Sequence, residues 1–481
     1  MIKTRRLQTS FADGLIAEEV SDLYEPWMRY ADQVLDDDQL LNLVQQELSK
    51  RIRKSKTRGR SGTPAEVVLR LLLLKHIRDW SYEILVREVR ANLVYRDFTR
   101  IGGGGVPDDK TVGRLGRQLG PDTIQDLHRR MVAMAQENQI VTGKKMRVDT
   151  TVVETNVHYP TDSSLLGDGV RVLTRLMKKA AEIAGHVGTK LRDRSRSVKL
   201  RVIEIARASR SKTPQTRERM QGMYEKLVGA TVRVVGQANQ FVQEIATGVK
   251  NAKHSADVFA AEKLEGIRKE LETMLPRVKT VIDQTRARVF EGNTHFPGKL
   301  FSIFEPHTEI IRRGKTAKPN EFGKMIKVQE AEGQIVTDYE VYDKRPADSD
   351  LLVPAVEVHE QVLGRVPELV AADAGFYSAQ GEKAVAGKGV KKVSVPNRST
   401  KSEERKKMQK QRWFKKGQKW RTGCEGRISV LKRRHGLDRC LYKGEQGMKR
   451  WVGLGVIGDN LINIGRALAE GGQDLTPSML G

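Results

Sequence analysis

The stretch Lys144–Val157, "KKMRVDTTVVETNV", alternates in period two, and the roughly 130 residues after Pro160 carry almost no such signal. Met146, Val148, Thr150 and Val152 fall on one face and Arg147, Asp149 and Thr151 on the other, which predicts a strand. A strand must pair to bury its backbone. The next extended segments begin only at Leu300, with "LFSIFEPHTEIIRRG". The chain therefore has to bring strands together across a long helical insertion, and no other feature constrains its fold as tightly.

The inserted segment, residues 161–293, is rich in Ala, Arg, Lys, Glu and Leu. Stretches such as "LTRLMKKAAEIAGHV" and "AAEKLEGIRKELETMLPRVKTVIDQTRARV" read as helices. Beyond it, "FGKMIKVQEAEGQIVTDYEVYD" predicts a hairpin turning at Glu332-Gly333. "DSDLLVPAVEVHEQVLG" reads as a helix capped by Ser349 or an Asp. "PELVAADAGFYS" reads as a short buried strand ending at Asp373, with Ser378 capping the next helix. "VKKVSVP" is a further strand. "GQKWRTGCEGRISVLKRRHG" is a helix ending where Gly436 sits just past it, and "GMKRWVGLGVIGDNLINIGRALAEGG" is a last apolar helix. Mixed strands with helices around them imply an α/β fold.

Residues 1–140 read as helical throughout. Thr63-Pro64 signals a helix start, and "PAEVVLRLLLLKHIRDWSYEILVREVRANLVYRDF" has the spacing of two helices. "IGGGG" lacks the preceding strand that a phosphate loop requires, so it reads as a flexible hinge. "VPDDKTVGRLGRQLG" is an Asp-capped helix of a helix-turn-helix-like unit.

The 481 residues carry a formal charge of +26 at pH 7, an excess that attracts polyanions and points to nucleic acid. Two cysteines, Cys424 and Cys440, make neither a metal box nor a disulfide framework, as expected of a cytoplasmic chain. The start lacks the apolar core of a secretory signal, and the longest apolar run, "VVLRLLLLKHI", is too short to span a bilayer. No membrane role is expected.

Between Arg405 and Leu437 stand thirteen Lys and Arg residues and one acid, Glu425. A segment that attracts phosphates gains no affinity from a central carboxylate. Glu425 shares a helix face with Arg421, Ile428 and Lys432. Asp149 lies in the first strand, and Asp373 ends a later one, where open α/β sheets build their sites. Carboxylate oxygens are the ligands of hard cations such as Mg²⁺, and two such ions can clamp both oxygens of a phosphoryl transfer. The plainer readings are an i,i+4 salt bridge for Glu425 with Arg421, and a turn-forming Asp at 373. Spacing alone leaves both readings open, because the three acids are far apart in sequence. Asp348 and Asp350 most simply cap a helix. "WFKKGQKW" interleaves Trp413, Phe414 and Trp420 with lysines, as base-stacking segments do, although packing against the core is the simpler reading.

The sequence resembles the DDE-type transposases of bacterial insertion sequences, in particular the ISNCY-like branch. "PAEVVLRLLLLKHIRDWSYEILVREVRANLVYRDFTRI…VPDDKTVGRLGRQL" is similar to their N-terminal helical domain, and "RVDTTVVETNVHYPTDSSLL" to the segment with the first catalytic Asp. "VAADAGFYS" is similar to the second, and "RTGCEGRISVLKRRHGL" carries the Arg-x₃-Glu-x₆-Lys core of the third. Many relatives have Tyr three residues before that Arg; here it is Gln418. The resemblance implies an RNase H-like mixed-sheet catalytic core with Asp149, Asp373 and Glu425 as catalytic and metal-binding residues. It implies Mg²⁺ chemistry with two ions, Mn²⁺ substituting. Arg421, Lys432, Arg433 and Arg434 are the expected DNA contacts. The expected partners are double-stranded DNA, as terminal inverted repeats and target, and further copies of the chain, a homodimer or larger assembly on paired ends near the nucleoid. The expected division is a helical DNA-binding domain (1–140), a discontinuous core (141–160 and 294–445), the helical insertion (161–293) and a C-terminal helix on the core (446–481). Two other classes stay open: a non-catalytic, transposase-derived DNA-binding protein, and an RNase H-fold nuclease without strand transfer.

Overall fold

The computed structural model describes residues 2–6, 10–50, 62–185, 188–210, 213–250, 258–312 and 319–471. In chain order it runs α1 (Phe11–Glu19), α2 (Pro26–Val34), α3 (Asp38–Ser49), α4 (Ala65–Ile77), α5 (Tyr82–Ala91), α6 (Leu93–Phe98), α7 (Asp109–Gln118) and α8 (Pro121–Glu137). Next come β1 (Lys145–Thr155), α9 (Asp162–Ala184), α10 (Ser195–Ala208), α11 (Pro214–Ala246) and α12 (Val258–Val289). Then follow β2 (Glu309–Arg312), β3 (Asn320–Glu330), β4 (Val336–Val341), α13 (Leu352–Leu363), β5 (Leu369–Ala372), α14 (Ala379–Gly387) and β6 (Lys392–Ser394). The last elements are α15 (Glu403–Lys410), α16 (Arg412–Arg434), β7 (Arg439–Cys440) and α17 (Gly444–Gly471). Two compact units result, residues 1–156 with 311–481, and residues 157–310.

The first unit is built on a mixed seven-stranded sheet, the expected α/β class. Its order is β2-β3-β1-β5-β6, with β4 on β3 and β7 on β1. β1 pairs antiparallel with β3 and parallel with β5. The alternation of β1 does what it predicts: Met146, Val148 and Val152 sink into a core with Leu352, Val356 and Val385 of α13 and α14. The other face, with Val153, Ile326 and Val328, packs with Leu431 of α16 and Trp451 of α17. Helices thus cover both faces, and the sheet's core is closed.

The N-terminal helices do not keep a core to themselves. α4 is buried from Ala65 to Ile77, and its apolar side chains share one cluster with Leu454, Ile457, Leu461 and Ile464 of α17. Gly465 lets α17 lie on α2, since a Cβ there would stand 2.3 Å from the Trp27 carbonyl oxygen.

Several local expectations are corrected. The segment 64–98 holds three helices, because Asn92 caps α6 with its own side chain. Pro64, and not Thr63, occupies the cap position of α4, with no side-chain bond. The glycines at 102–104 are tied down: Arg96 donates to the Gly102 and Gly104 carbonyls, and Asp13 accepts from the Gly103 N–H. No side chain caps α13; Asp348 instead accepts a bond from Thr150 Oγ1 at 3.1 Å.

The second unit is helical. α9, α10, α11 and α12 bury Leu166, Leu173, Leu227, Phe241, Leu271 and Val281 in a core of their own. At 1.5 Å per residue, α11 and α12 are each about 50 Å long. Thr161 and Ser164 close a capping box at the start of α9.

Candidate active site

β1 and β5 run in register, with Met146 opposite Val370 and Val148 opposite Ala372. The next residues are Asp149 and Asp373. Neighbouring strands lie about 4.8 Å apart, so the two aspartates start from adjacent positions at the carboxyl end of β5. Beyond Val148 that edge of β1 leaves β5, and β7 takes it up again only at Glu154 and Thr155. Strands that part in this way open a crevice at the sheet's end.

α16 lies over this end of the sheet. Its Arg421 Nη1 is 2.8 Å from Glu425 Oε1 and 3.8 Å from Asp149 Oδ2. One guanidinium therefore links an acid of the helix to an acid of the strand. Arg398 Nη2 stands 3.7 Å from Asp373 Oδ1. The Asp149 side chain is 14% exposed, against 46% for Asp373 and 55% for Glu425, so the pair that Arg421 joins opens to solvent at Glu425, while Asp373 pairs with Arg398. Asp149 Oδ1 accepts the Thr150 N–H and Asp373 Oδ1 the Ala374 N–H, which orients both carboxylates. Among the described residues, no three Asp, Glu, His or Cys side chains close a metal cage.

What fixes α16 is a second, buried set of charges. Arg147, two residues before Asp149, grips Glu330 of β3 through two bonds of 2.5 and 2.9 Å. Its remaining nitrogen donates to the Trp420 carbonyl at 2.6 Å, and its guanidinium lies 4.8 Å from the Trp420 ring centre. Arg427, two residues after Glu425, stands 3.7 Å from the same Glu330 and bonds Asp459 of α17 at 2.8 and 3.0 Å. Glu330 is fully buried, and burial pushes its carboxyl up while the two arginines pull it down. Gly423 makes room for this: a Cβ there would fall 2.0 Å from Arg147 Nη1. At the other end, Gln418 donates to the Ser394 and Ala372 carbonyls, tying α16 to β6 and to the strand end before Asp373. Cys424 faces the sheet, where burial raises its thiol well above the ordinary value and keeps it protonated.

The other expected contacts lie along the same helix. Arg433 and Arg434 are exposed in its last turn, and Lys432 is half-buried. Of the aromatic group, Phe414 is core and Trp420 stacks on Arg147.

Two family models match this chain. One, described as "Transposase DDE domain", covers residues 380–464, and the other, "Transposase domain (DUF772)", covers residues 25–118. Both descriptions name transposases, and together the two matches indicate a DDE-type insertion-sequence transposase. No curated protein and no solved structure matches it. The first match contains α16 with Arg421, Glu425 and Lys432 to Arg434; Asp149 and Asp373 of the transposase lie outside it.

Sequence reasoning missed Glu330, Arg427, Gly423 and the contact of Asp348. A faint signal existed for Arg147, which alternation places on the Asp149 face of a strand where a charge is costly. Nothing local points from residue 147 to residue 330.

Proposed function

We propose that this transposase binds the ends of an insertion sequence, cuts them in a Mg²⁺-dependent reaction and transfers the strand ends to target DNA. The observation that carries this reading is the meeting of Asp149 and Glu425 on one guanidinium, beside the strand end that leads into Asp373. All the donors are carboxylate oxygens, the chemistry of a hard divalent cation, and a monocation now balances two of them. Bound there, Mg²⁺, as two ions with Mn²⁺ as substitute, would stabilise charge on the attacking and leaving oxygens of a phosphoryl transfer.

The chain's own residues divide the remaining work. Asp149, Asp373 and Glu425 hold the site's negative charge at the parted strands. Arg421, Lys432, Arg433 and Arg434 bind DNA phosphates; the last three lie about 10–14 Å along α16 from Glu425. Water breaks the P–O3′ bond and leaves a 3′-OH and a 5′-phosphate; that 3′-OH attacks the target phosphate in line and displaces the target's own 3′-oxygen as a 3′-OH, with no covalent link to the protein. The sheet and α16 form an RNase H-like core of the ISNCY-like type, formed from residues 141–160 and 294–445. Residues 1–140 recognise the ends, 161–293 are an insertion, 446–481 brace the core, and a dimer or larger assembly pairs two ends.

Asp149→Asn, Asp373→Asn and Glu425→Gln should each abolish Mg²⁺-dependent cleavage of a duplex bearing the element's end while leaving binding of that duplex intact. Full cleavage by any one variant removes that residue from the site. Cutting without joining would make the protein a nuclease. Binding with neither would make it a non-catalytic relative.

A further inference from the structure

The helical unit has a charge asymmetry that the site does not use. Residues 157–310 hold 27 basic and 17 acidic residues. Eleven of the cations and only three of the acids fall within residues 190–219, that is, in α10 and its flanks. The rest of the unit is nearly balanced, with sixteen cations against fourteen acids.

α10 shows why the cations collect there. Val198 and Ile205 are buried against the unit's core. Arg196, Lys199, Leu200, Ile203 and Arg207 follow the i, i+3, i+4, i+7, i+11 spacing of the opposite, solvent-facing stripe. All five are exposed, Leu200 at 55% and Ile203 at 38%. Arg196, Lys199 and Arg207 form no ion pair with any described residue, whereas other cations of the unit do: Lys178 with Asp193, Arg268 with Glu265, Arg288 with Asp162. A solvated helix face normally interleaves both signs; here the five residues present one sign along about 17 Å, with the exposed Glu204 at the edge of the stripe beside Arg207.

We propose that this stripe of α10 is a second DNA-binding surface, which holds the phosphate backbone of duplex DNA. Over about 17 Å one DNA strand presents about five phosphates, enough for all three cations. Leu200 and Ile203 lie between those cations and suit the apolar edges of the groove, such as thymine methyls. The surface carries no carboxylate among the five, so it positions DNA and contributes nothing to cutting. The proposal rests on duplex DNA being the substrate of the transposase.

The test uses the full chain and a labelled duplex of arbitrary sequence, without metal, with affinity measured across a range of salt. Each phosphate contact contributes about 0.9 to the slope of log affinity against log salt. Arg196→Ala/Lys199→Ala/Arg207→Ala should lower that slope by between about two and three and weaken binding at least tenfold at low salt. Arg196→Lys/Arg207→Lys keeps the charge and should keep the slope. These side chains are exposed and without described ion partners, so the variants should fold; circular dichroism checks this. An unchanged slope in the triple variant overturns the proposal. So does loss of self-association in sedimentation with DNA binding intact, which would give the stripe to a protein partner. Wild-type protein with an α10-dependent slope that cuts no DNA end would overturn the strand-transfer chemistry and leave this surface standing. Cleavage by a chain whose triple variant keeps its slope would do the reverse.

Discussion

α16 carries two sets of charges with opposite environments. Beneath the helix, Arg147, Glu330, Arg427 and Asp459 are all less than a tenth exposed and bonded to one another. On its open side, Arg421 is shared by Glu425 and Asp149, with more than half of the Glu425 side chain in solvent. The buried set cannot exchange partners, because any member that left would strand a charge in a medium of low polarity. Glu425, at the solvent end of the open set, can, since solvent or an incoming ion replaces its partner at little cost, while Arg421 and Asp149 are only 13% and 14% exposed. Along one helix, then, the lower charges hold position and the upper ones are available for chemistry.

The largest effect should come from breaking the buried set. Glu330→Gln leaves Arg147 and Arg427 facing each other without their shared anion. It should cost about 3–5 kcal/mol of unfolding free energy in urea denaturation. A cost under about 1 kcal/mol would mean that the set does not fasten α16 to the sheet. Gly423→Ala perturbs the same contact sterically and should cost about 1–3 kcal/mol. Because it leaves every charge in place, a fall in Mg²⁺-dependent cleavage larger than its loss of stability would show that α16 must sit close to β1 for activity.

The open set should behave otherwise. Arg421→Ala removes a mostly buried partner of Asp149 and should cost about 1–2 kcal/mol. It should lower the salt slope of end binding by about one, the signature of one lost phosphate contact. Glu425→Ala should have the smallest effect on stability, a few tenths of a kcal/mol. It should bind DNA without metal as well as the wild type or better, because a negative charge beside the phosphates is gone, and it should cut nothing. Survival of cleavage in Glu425→Ala would reduce the Arg421–Glu425 pair to an ordinary helix salt bridge, the plainer reading of the sequence.

Much of this was legible from local patterns. The alternation of Met146, Val148 and Val152 gives β1; the Glu332-Gly333 turn gives the β3–β4 hairpin; Asp108, Ser378 and Gly436 mark helix ends where each was expected. Where the reading failed, a distant partner had competed with a local one. Asp348 looks like a cap, but Thr150, some two hundred residues away, takes its carboxylate. The glycines at 102–104 look like a hinge, but Arg96 and Asp13 hold them.

The sequence by itself determined the elements, the interruption of the strands by a helical block and the odd placement of three acids, because periodicity, caps and charge act within a few residues. Only the tertiary structure decided that Asp149 lies beside the strand end of Asp373, that Arg421 joins Asp149 to Glu425, and that Glu330 anchors the helix between them. Those relations depend on which surfaces meet across hundreds of residues. Burial sets their energies, and burial is a property of the folded chain that no short stretch of sequence contains.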